Sequence, residues 1–258
     1  MSGTVYLIGA GPGDPELLTL KAARLLAHAD VVLHDALVSR EVLALISPAA
    51  ELIDVGKRAG RKLLTQDEIN ALLVSYAQTP GTVVRLKGGD PSIFGRAGEE
   101  IESLRKSGIP CEIVPGITAA LGAAAAAGIS LTDRRVASQI LLTTFSRGTD
   151  GSVMEWGCVT STTTLVLYMP SADYAEVSQR LLDGGLPADL PCVIVSNATG
   201  VSQELCWSNV GSLASDKKLP APALLIVGRV ASHEVQELSA SFWDRSRKNL
   251  NPQRVSVI

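Results

Sequence analysis

The sequence predicts an α/β protein built as two α/β domains, and three observations carry that prediction. Short apolar runs of strand length alternate with longer helical patterns through the first half of the chain, and the alternation resumes after Ser138. An Ala-rich stretch, Ala119–Ala127, stands between the two sets. The length, 258 residues, allows either one large α/β domain or two smaller ones, and the second set selects two.

The elements follow in order. Val5-Tyr6-Leu7-Ile8 is an apolar run closed by glycines and reads as a buried strand feeding a helix. Further strands are expected at 31–33, 52–55, 82–86 and 111–114, separated by helices over 15–29, 39–46, 65–78 and 96–107, an alternation that implies a mostly parallel sheet. Asp14-Pro15 places a cap before a proline at a first helical position, and Thr65-x-x-Glu68 fits a capping box. The small side chains of 119–127 suit close packing at a domain or subunit junction, so the first domain is set at 1–128 and the second at 129–240. In the second, strands are expected at 139–144, 164–169, 192–196, 203–207 and 223–228, with a helix near 172–182. Residues 241–258 carry Arg245, Arg247, Lys248 and Arg254 with little apolar periodicity and read as a loosely held tail.

Composition excludes several classes. Lys plus Arg is 23 against 26 Asp plus Glu, a net charge of −3, which argues against a generally basic nucleic-acid binder. With 3 Phe, 3 Trp and 4 Tyr, aromatic platforms for single-stranded nucleic acid are not expected either. No apolar run reaches the roughly 18 residues of a membrane span, and the N-terminus lacks the basic and apolar regions of a secretory signal, so a cytoplasmic protein away from membranes is expected. Cys111, Cys158, Cys192 and Cys206 are widely spaced and only 3 His are present, so neither a metal site nor a disulfide framework is expected. Buried free thiols are.

In open α/β sheets ligands bind beyond the carboxyl ends of the strands. Those segments are Gly9-Ala10-Gly11-Pro12-Gly13-Asp14, His34-Asp35, Gly56-Lys57-Arg58, Lys87-Gly88-Gly89-Asp90-Pro91 and Pro115-Gly116-Ile117-Thr118, which gather glycines and ionisable groups at one edge. The first fails the dinucleotide fingerprint because Asp14 stands where the third glycine belongs. Both glycine segments read either as ordinary turns or as flexible backbone offered to a ligand. As an isolated dipeptide His34-Asp35 reads as a solvated loop. Lys57, Arg58, Arg61 and Lys62, joined by Lys87 and Arg96, would concentrate positive charge suited to a polyanionic small molecule.

Taken together, residues 9–19, Val55-Gly56-Lys57-Arg58 and Arg85-Leu86-Lys87-Gly88-Gly89-Asp90-Pro91-Ser92-Ile93-Phe94-Gly95-Arg96 resemble the tetrapyrrole methylases, and within them the uroporphyrinogen-III branch. Val114-Pro115-Gly116-Ile117-Thr118-Ala119, Tyr168-Met169, Pro222-Ala223-Leu224 and Gly228-Arg229-Val230 continue the match in order to about residue 230. The resemblance implies two domains with the active site in the cleft between them, usually in a homodimer. It implies S-adenosylmethionine as methyl donor, leaving as S-adenosylhomocysteine, with Pro12, Gly88, Gly89, Asp90, Ile93, Thr118, Ala119, Met169 and Ala198 at its contact positions. By the same resemblance Asp35 is the proton acceptor and Lys57 the proton donor.

The implied reaction is double C-methylation of uroporphyrinogen III to precorrin-2, for siroheme or cobalamin synthesis. Arg58, Arg61, Arg96 and Arg134 are then expected to pair with the substrate's carboxylates. Because the match begins close to Met1, the methylase module alone is expected, without the dehydrogenase and chelatase module of the siroheme-making fusions. The chain departs from the family pattern at His34, Asp133, Phe145 and Ala198, and Asp133 would add like charge near a polycarboxylate if its loop faces the substrate. Two rival readings share these residues: methylation of another early tetrapyrrole, and a non-catalytic S-adenosylmethionine-binding homologue.

Overall fold

Neighbouring residues on a strand point to opposite faces, so a strand apolar on both faces must be covered on both. Val5 and Leu7 enter one buried cluster with Val83, Ile69, Leu73 and Leu104, while Ile8, Val84, Leu26 and Val42 enter another, which is how a parallel sheet sandwiched between helices is built. The computed structural model describes residues 3–56, 64–145, 159–171 and 173–232. Within it the chain forms two compact units, Met1–Gly122 with Asn197–Val201, and Ala123–Ser196 with Ser202–Ile258.

In the first unit β1 (Thr4–Gly9), β2 (Val31–His34), β3 (Glu51–Asp54), β4 (Thr82–Lys87) and β5 (Cys111–Val114) form one sheet in the order β3-β2-β4-β1-β5. Every pairing in it is parallel. All five strands therefore end at one edge. The connections hold α1 (Leu20–Ala27), α2 (Arg40–Leu43), α3 (Gln66–Tyr76) and α4 (Ala97–Lys106), and α5 (Ala119–Ala127) follows β5.

The expected capping box at Thr65 and Glu68 forms with both of its hydrogen bonds. The helix expected over 15–29 is instead broken: Asp14 caps a single 3₁₀ turn at Pro15–Leu17, Leu18 is extended, and Thr19 caps α1 through the Ala22 N–H. Thr19 competes for the backbone as a second cap, which ends the first turn. The helix expected over 39–46 shortens to α2: Ser39 takes the cap position and accepts from the Val42 N–H, and beyond Leu43 the chain tightens into turns in which the Leu45 and Ile46 N–H groups donate to the Val42 and Leu43 carbonyls.

The second unit holds β6 (Gln139–Thr144), β7 (Thr163–Tyr168), β8 (Pro191–Ser196), β9 (Glu204–Asn209) and β10 (Ala223–Val227), with α6 (Tyr174–Asp183). Its strand order is β6-β7-β10-β8-β9. Only β6 and β7 run parallel; the other pairings are antiparallel. Leu165, Leu167, Ile194 and Leu225 pack with Tyr174, Val177 and Leu181 of α6. Cys111, Cys192 and Cys206 are free thiols, and burial raises Cys111 to about 11 and Cys192 further still. Cys158 and the expected tail lie outside the described residues.

Candidate active site

The glycine segments at the sheet edge of the first unit meet main chain to main chain. Gly11 and Gly89 exchange hydrogen bonds in both directions, at 3.2 and 2.8 Å, and the Ala10 N–H donates to the Lys87 carbonyl at 2.7 Å. A side chain on Gly9 or Gly116 has no room, because a Cβ on Gly116 would lie 2.3 Å from the Gly89 oxygen and one on Gly9 2.6 Å from it. Gly89 itself has φ +67°, a left-handed conformation that glycine adopts without steric cost.

Asp90 ties two loops together: its Oδ1 accepts from the Ser92 N–H at 2.8 Å and its Oδ2 from the Gly116 N–H at 3.0 Å. On the same unit, the Pro12 ring lies against α5 where Gly122 leaves space, and the Asp14 N–H donates to Thr199 Oγ1 at 3.2 Å. A Cβ on Gly13 would sit 3.4 Å from the Ala198 carbonyl oxygen, and one on Gly89 3.5 Å from the Ala119 nitrogen and 3.9 Å from the Thr118 Cα. The Ile93 N–H donates to the Asp90 carbonyl. Pro12, Gly88, Gly89, Asp90, Ile93, Thr118, Ala119 and Ala198 are thus brought together by the loops after β1, β4 and β5 and the segment 197–201. Met169 directly follows β7 in the second unit, exposed and with φ +48°.

Positive φ at residues with side chains is uncommon and gathers at functional sites. Phe94 and Arg96 adopt it after β4, and Asn197 and the β-branched Thr199 adopt it after β8.

Beside these loops sits a charged cluster that the sequence reading did not find. Arg85 of β4 is 2% exposed, yet its guanidinium donates from Nε to Glu100 Oε1 at 3.0 Å, from Nη2 to Asp35 Oδ1, and from Nη1 to the Leu33 and Leu86 carbonyls at 3.3 and 3.2 Å. Glu100 of α4 is fully buried; its Oε1 also accepts from Lys87 Nζ at 3.0 Å and Gln66 Nε2 at 3.3 Å, while its Oε2 has no partner. Lys87 Nζ stands 3.9 Å from Asp35 Oδ2. Burial would lower the Arg85 pKa, but Asp35 and Glu100 outweigh it and hold the guanidinium above its ordinary value. Burial, and then the Arg85 charge, pull the Lys87 ammonium below that of an ordinary lysine.

Three expectations change here. Lys87 is not part of a basic surface patch, because two carboxylates neutralise it in the interior. His34 is no solvated loop residue but the buried end of β2, its Nδ1 3.1 Å from the Asp35 carbonyl oxygen. Asp133 is not a bare negative charge: Arg135 binds it through Nε and Nη2 and, with a backbone hydrogen bond, lowers its carboxyl to about 2.

The remaining positions are simply placed. Arg96 precedes α4 and grips Glu99 with two 2.7 Å hydrogen bonds, a bidentate pair within the chain itself. Arg134 is exposed in the second unit, and Phe145 lies under the Arg180 guanidinium at 4.7 Å. Lys57, Arg58, Arg61 and Lys62 lie outside the described residues. Among the described residues no helix is long and apolar enough to cross a membrane, and no group of 3 or more His, Cys, Asp or Glu is placed to hold a metal ion.

What these loops can offer a ligand is main-chain N–H and C=O groups beside the Asp90 carboxylate.

The comparisons agree with that chemistry. The family model for tetrapyrrole (corrin/porphyrin) methylases matches residues 4–214. The chain is 49% identical over 235 residues to a uroporphyrinogen-III C-methyltransferase of Paracoccus denitrificans, covering 89% of this chain and 82% of that protein. It is 48% identical to a siroheme synthase of Actinobacillus pleuropneumoniae, over 88% of this chain but only 47% of that longer protein. Among solved structures, a Thermus thermophilus uroporphyrin-III C-methyl transferase complexed with S-adenyl homocysteine superposes with a TM-score of 0.77 at 39% identity, over 88% of this chain and 93% of the other. The family model spans the first sheet, β6 to β9 of the second and every strand-end loop described above, and on it the chain belongs to the tetrapyrrole methylases, with their two α/β domains.

Proposed function

We propose that this chain is an S-adenosylmethionine-dependent C-methyltransferase that methylates uroporphyrinogen III twice, giving precorrin-2 for siroheme or cobalamin synthesis. The observation that carries this reading is the meeting of Pro12, Gly88–Asp90, Ile93, Thr118, Ala119 and Ala198 on loops of one unit, held by the Gly11–Gly89 bridge and by Asp90. The donor supplies, when bound, a methyl carbon made electrophilic by a sulfonium. What remains for the protein is to align a ring carbon with it, keep water out and take up a proton.

In this reading the loop main chain holds the donor's polar groups, and Asp35, whose side chain is 30% exposed while its partners are buried, accepts the proton. Lys57 returns one. Arg58, Arg61, Arg96 and Arg134 pair with substrate carboxylates, Arg96 by exchanging Glu99 for one of them. Met169 of the second unit is assigned to the donor by resemblance. We set the domain limits at 1–128 and 129–240, and we take the enzyme to be a cytoplasmic homodimer acting on a small molecule, with no nucleic-acid or membrane partner.

The test is chemical. Purified protein given anaerobic uroporphyrinogen III and labelled donor should place two methyl groups on carbon, as read by mass spectrometry of the product. Methylation only of a different tetrapyrrole would replace this substrate assignment. Binding of S-adenosylhomocysteine without turnover on any tetrapyrrole would replace the enzyme by a binding protein.

A further inference from the structure

Four charges lie beneath the carboxyl edge of the parallel sheet, and stability does not explain them. A buried ion pair contributes little more than apolar side chains of the same volume would, because desolvation offsets the attraction. Arg85, Lys87 and Glu100 are each nearly or wholly removed from solvent, and Asp35 is the one member that reaches the surface.

The Arg85 guanidinium has little freedom to turn. Two main-chain carbonyls hold Nη1, Glu100 holds Nε, and Nη2 points at Asp35 Oδ1. Glu100 is in turn fixed by Lys87 and Gln66. The side chain that emerges from this chain of contacts is the carboxylate assigned above to proton transfer, and the inference rests on that assignment.

We infer that Arg85, braced by Glu100, is a positioning residue that holds the Asp35 carboxylate in the one orientation from which it removes the proton released by ring methylation. As the new carbon–carbon bond forms, the methyl–sulfur bond breaks and its electron pair stays on sulfur. The ring, left cationic, loses a proton to Asp35, which becomes a carboxylic acid. Arg85 touches neither ring nor donor; it acts through Asp35 alone.

A kinetic double-mutant cycle tests this. Arg85→Lys keeps a charge but loses the planar fork, and kcat on uroporphyrinogen III should fall on the order of 10²-fold, as a misplaced catalytic group costs. KM and S-adenosylhomocysteine affinity by calorimetry should stay within about threefold, since those contacts are elsewhere. In the Asp35→Asn background the same substitution should lower kcat no further, because the group it positions is gone.

Equal kcat losses in the two backgrounds would overturn the inference, as would a loss confined to KM or donor-product binding. Should Arg85→Lys fail to fold, Glu100→Gln is put through the same cycle with the same criteria. Asp35→Asn alone tests the underlying reading: if it turns over at the wild-type rate, the proton acceptor has been misassigned, whatever Arg85 does.

Discussion

At the carboxyl edge of the parallel sheet, the loops after β1, β4 and β5 meet through bare main chain, whereas β2, β4 and α4 meet a few residues away through four ionised side chains. In the first region Gly9 and Gly116 leave no space for a methyl group, Gly89 holds a left-handed φ, and the polar groups are neutral amides satisfied by one another or by Asp90. In the second, charge is balanced, two cations against two carboxylates. The comparison teaches that one region constrains shape and the other constrains charge. Substitutions should therefore fail in each for different reasons.

The largest effect is expected where charge balance breaks. Glu100→Ala leaves Arg85 and Lys87 buried without their shared acceptor and should cost about 3–5 kcal/mol in urea unfolding. A loss under about 1 kcal/mol would mean that water enters and the cluster is not dry.

Shape comes next. Gly116→Ala should cost about 1–3 kcal/mol by overpacking and weaken S-adenosylhomocysteine binding at least tenfold, read by calorimetry. Its control is Gly98→Ala in α4, where a Cβ meets nothing within 4 Å and helix propensity should add up to about 1 kcal/mol of stability. If both changes act alike, the main-chain contact is looser than the structure has it.

Asp90→Ala removes acceptors from two backbone N–H groups and should cost about 2 kcal/mol, while Asp90→Asn, which keeps one acceptor, should cost about half as much. Equal losses would show that only the charge matters there, blurring the distinction between the two regions.

The smallest effect is expected at an exposed pair. Arg135→Ala should raise the Asp133 titration, followed by NMR, from about 2 toward its ordinary 3.8. Because the folded value is depressed, whatever this pair contributes is present above the unfolded value and is lost as pH falls through about 2. The unfolding midpoint at neutral pH should hardly move.

The two regions also differ in how much of them is legible in sequence. Gly9-x-Gly11-x-Gly13 and Gly88-Gly89 stand out because a turn is a local property, set by a few adjacent residues. Asp35, Arg85 and Glu100 are far apart in the chain, and only the pairing of β2 with β4 and the packing of α4 bring them together. A lone Arg in a strand and a Glu in a helix carry no local sign of one another. Strand positions were readable from apolar runs, but strand direction in the second unit was not, although the short step from Ser196 to Glu204 leaves too little chain for a parallel crossover. The break before α1 was hidden because Thr19 is as ordinary in a helical pattern as it is effective at a cap.

The assignment of Asn197–Val201 to the first unit has a consequence for biosynthesis. The ribosome finishes the rest of that unit at Gly122, about 75 residues before this segment is made. At about 5–20 residues per second the gap lasts roughly 4–15 seconds, during which the Asp14 N–H waits for Thr199. The parallel sheet and its glycine loops can form in that interval, but their last hydrogen-bonding partner arrives only after β6, β7, α6 and β8 have been translated. The nascent chain should thus gain protease resistance in the first unit before it gains the ability to retain donor product.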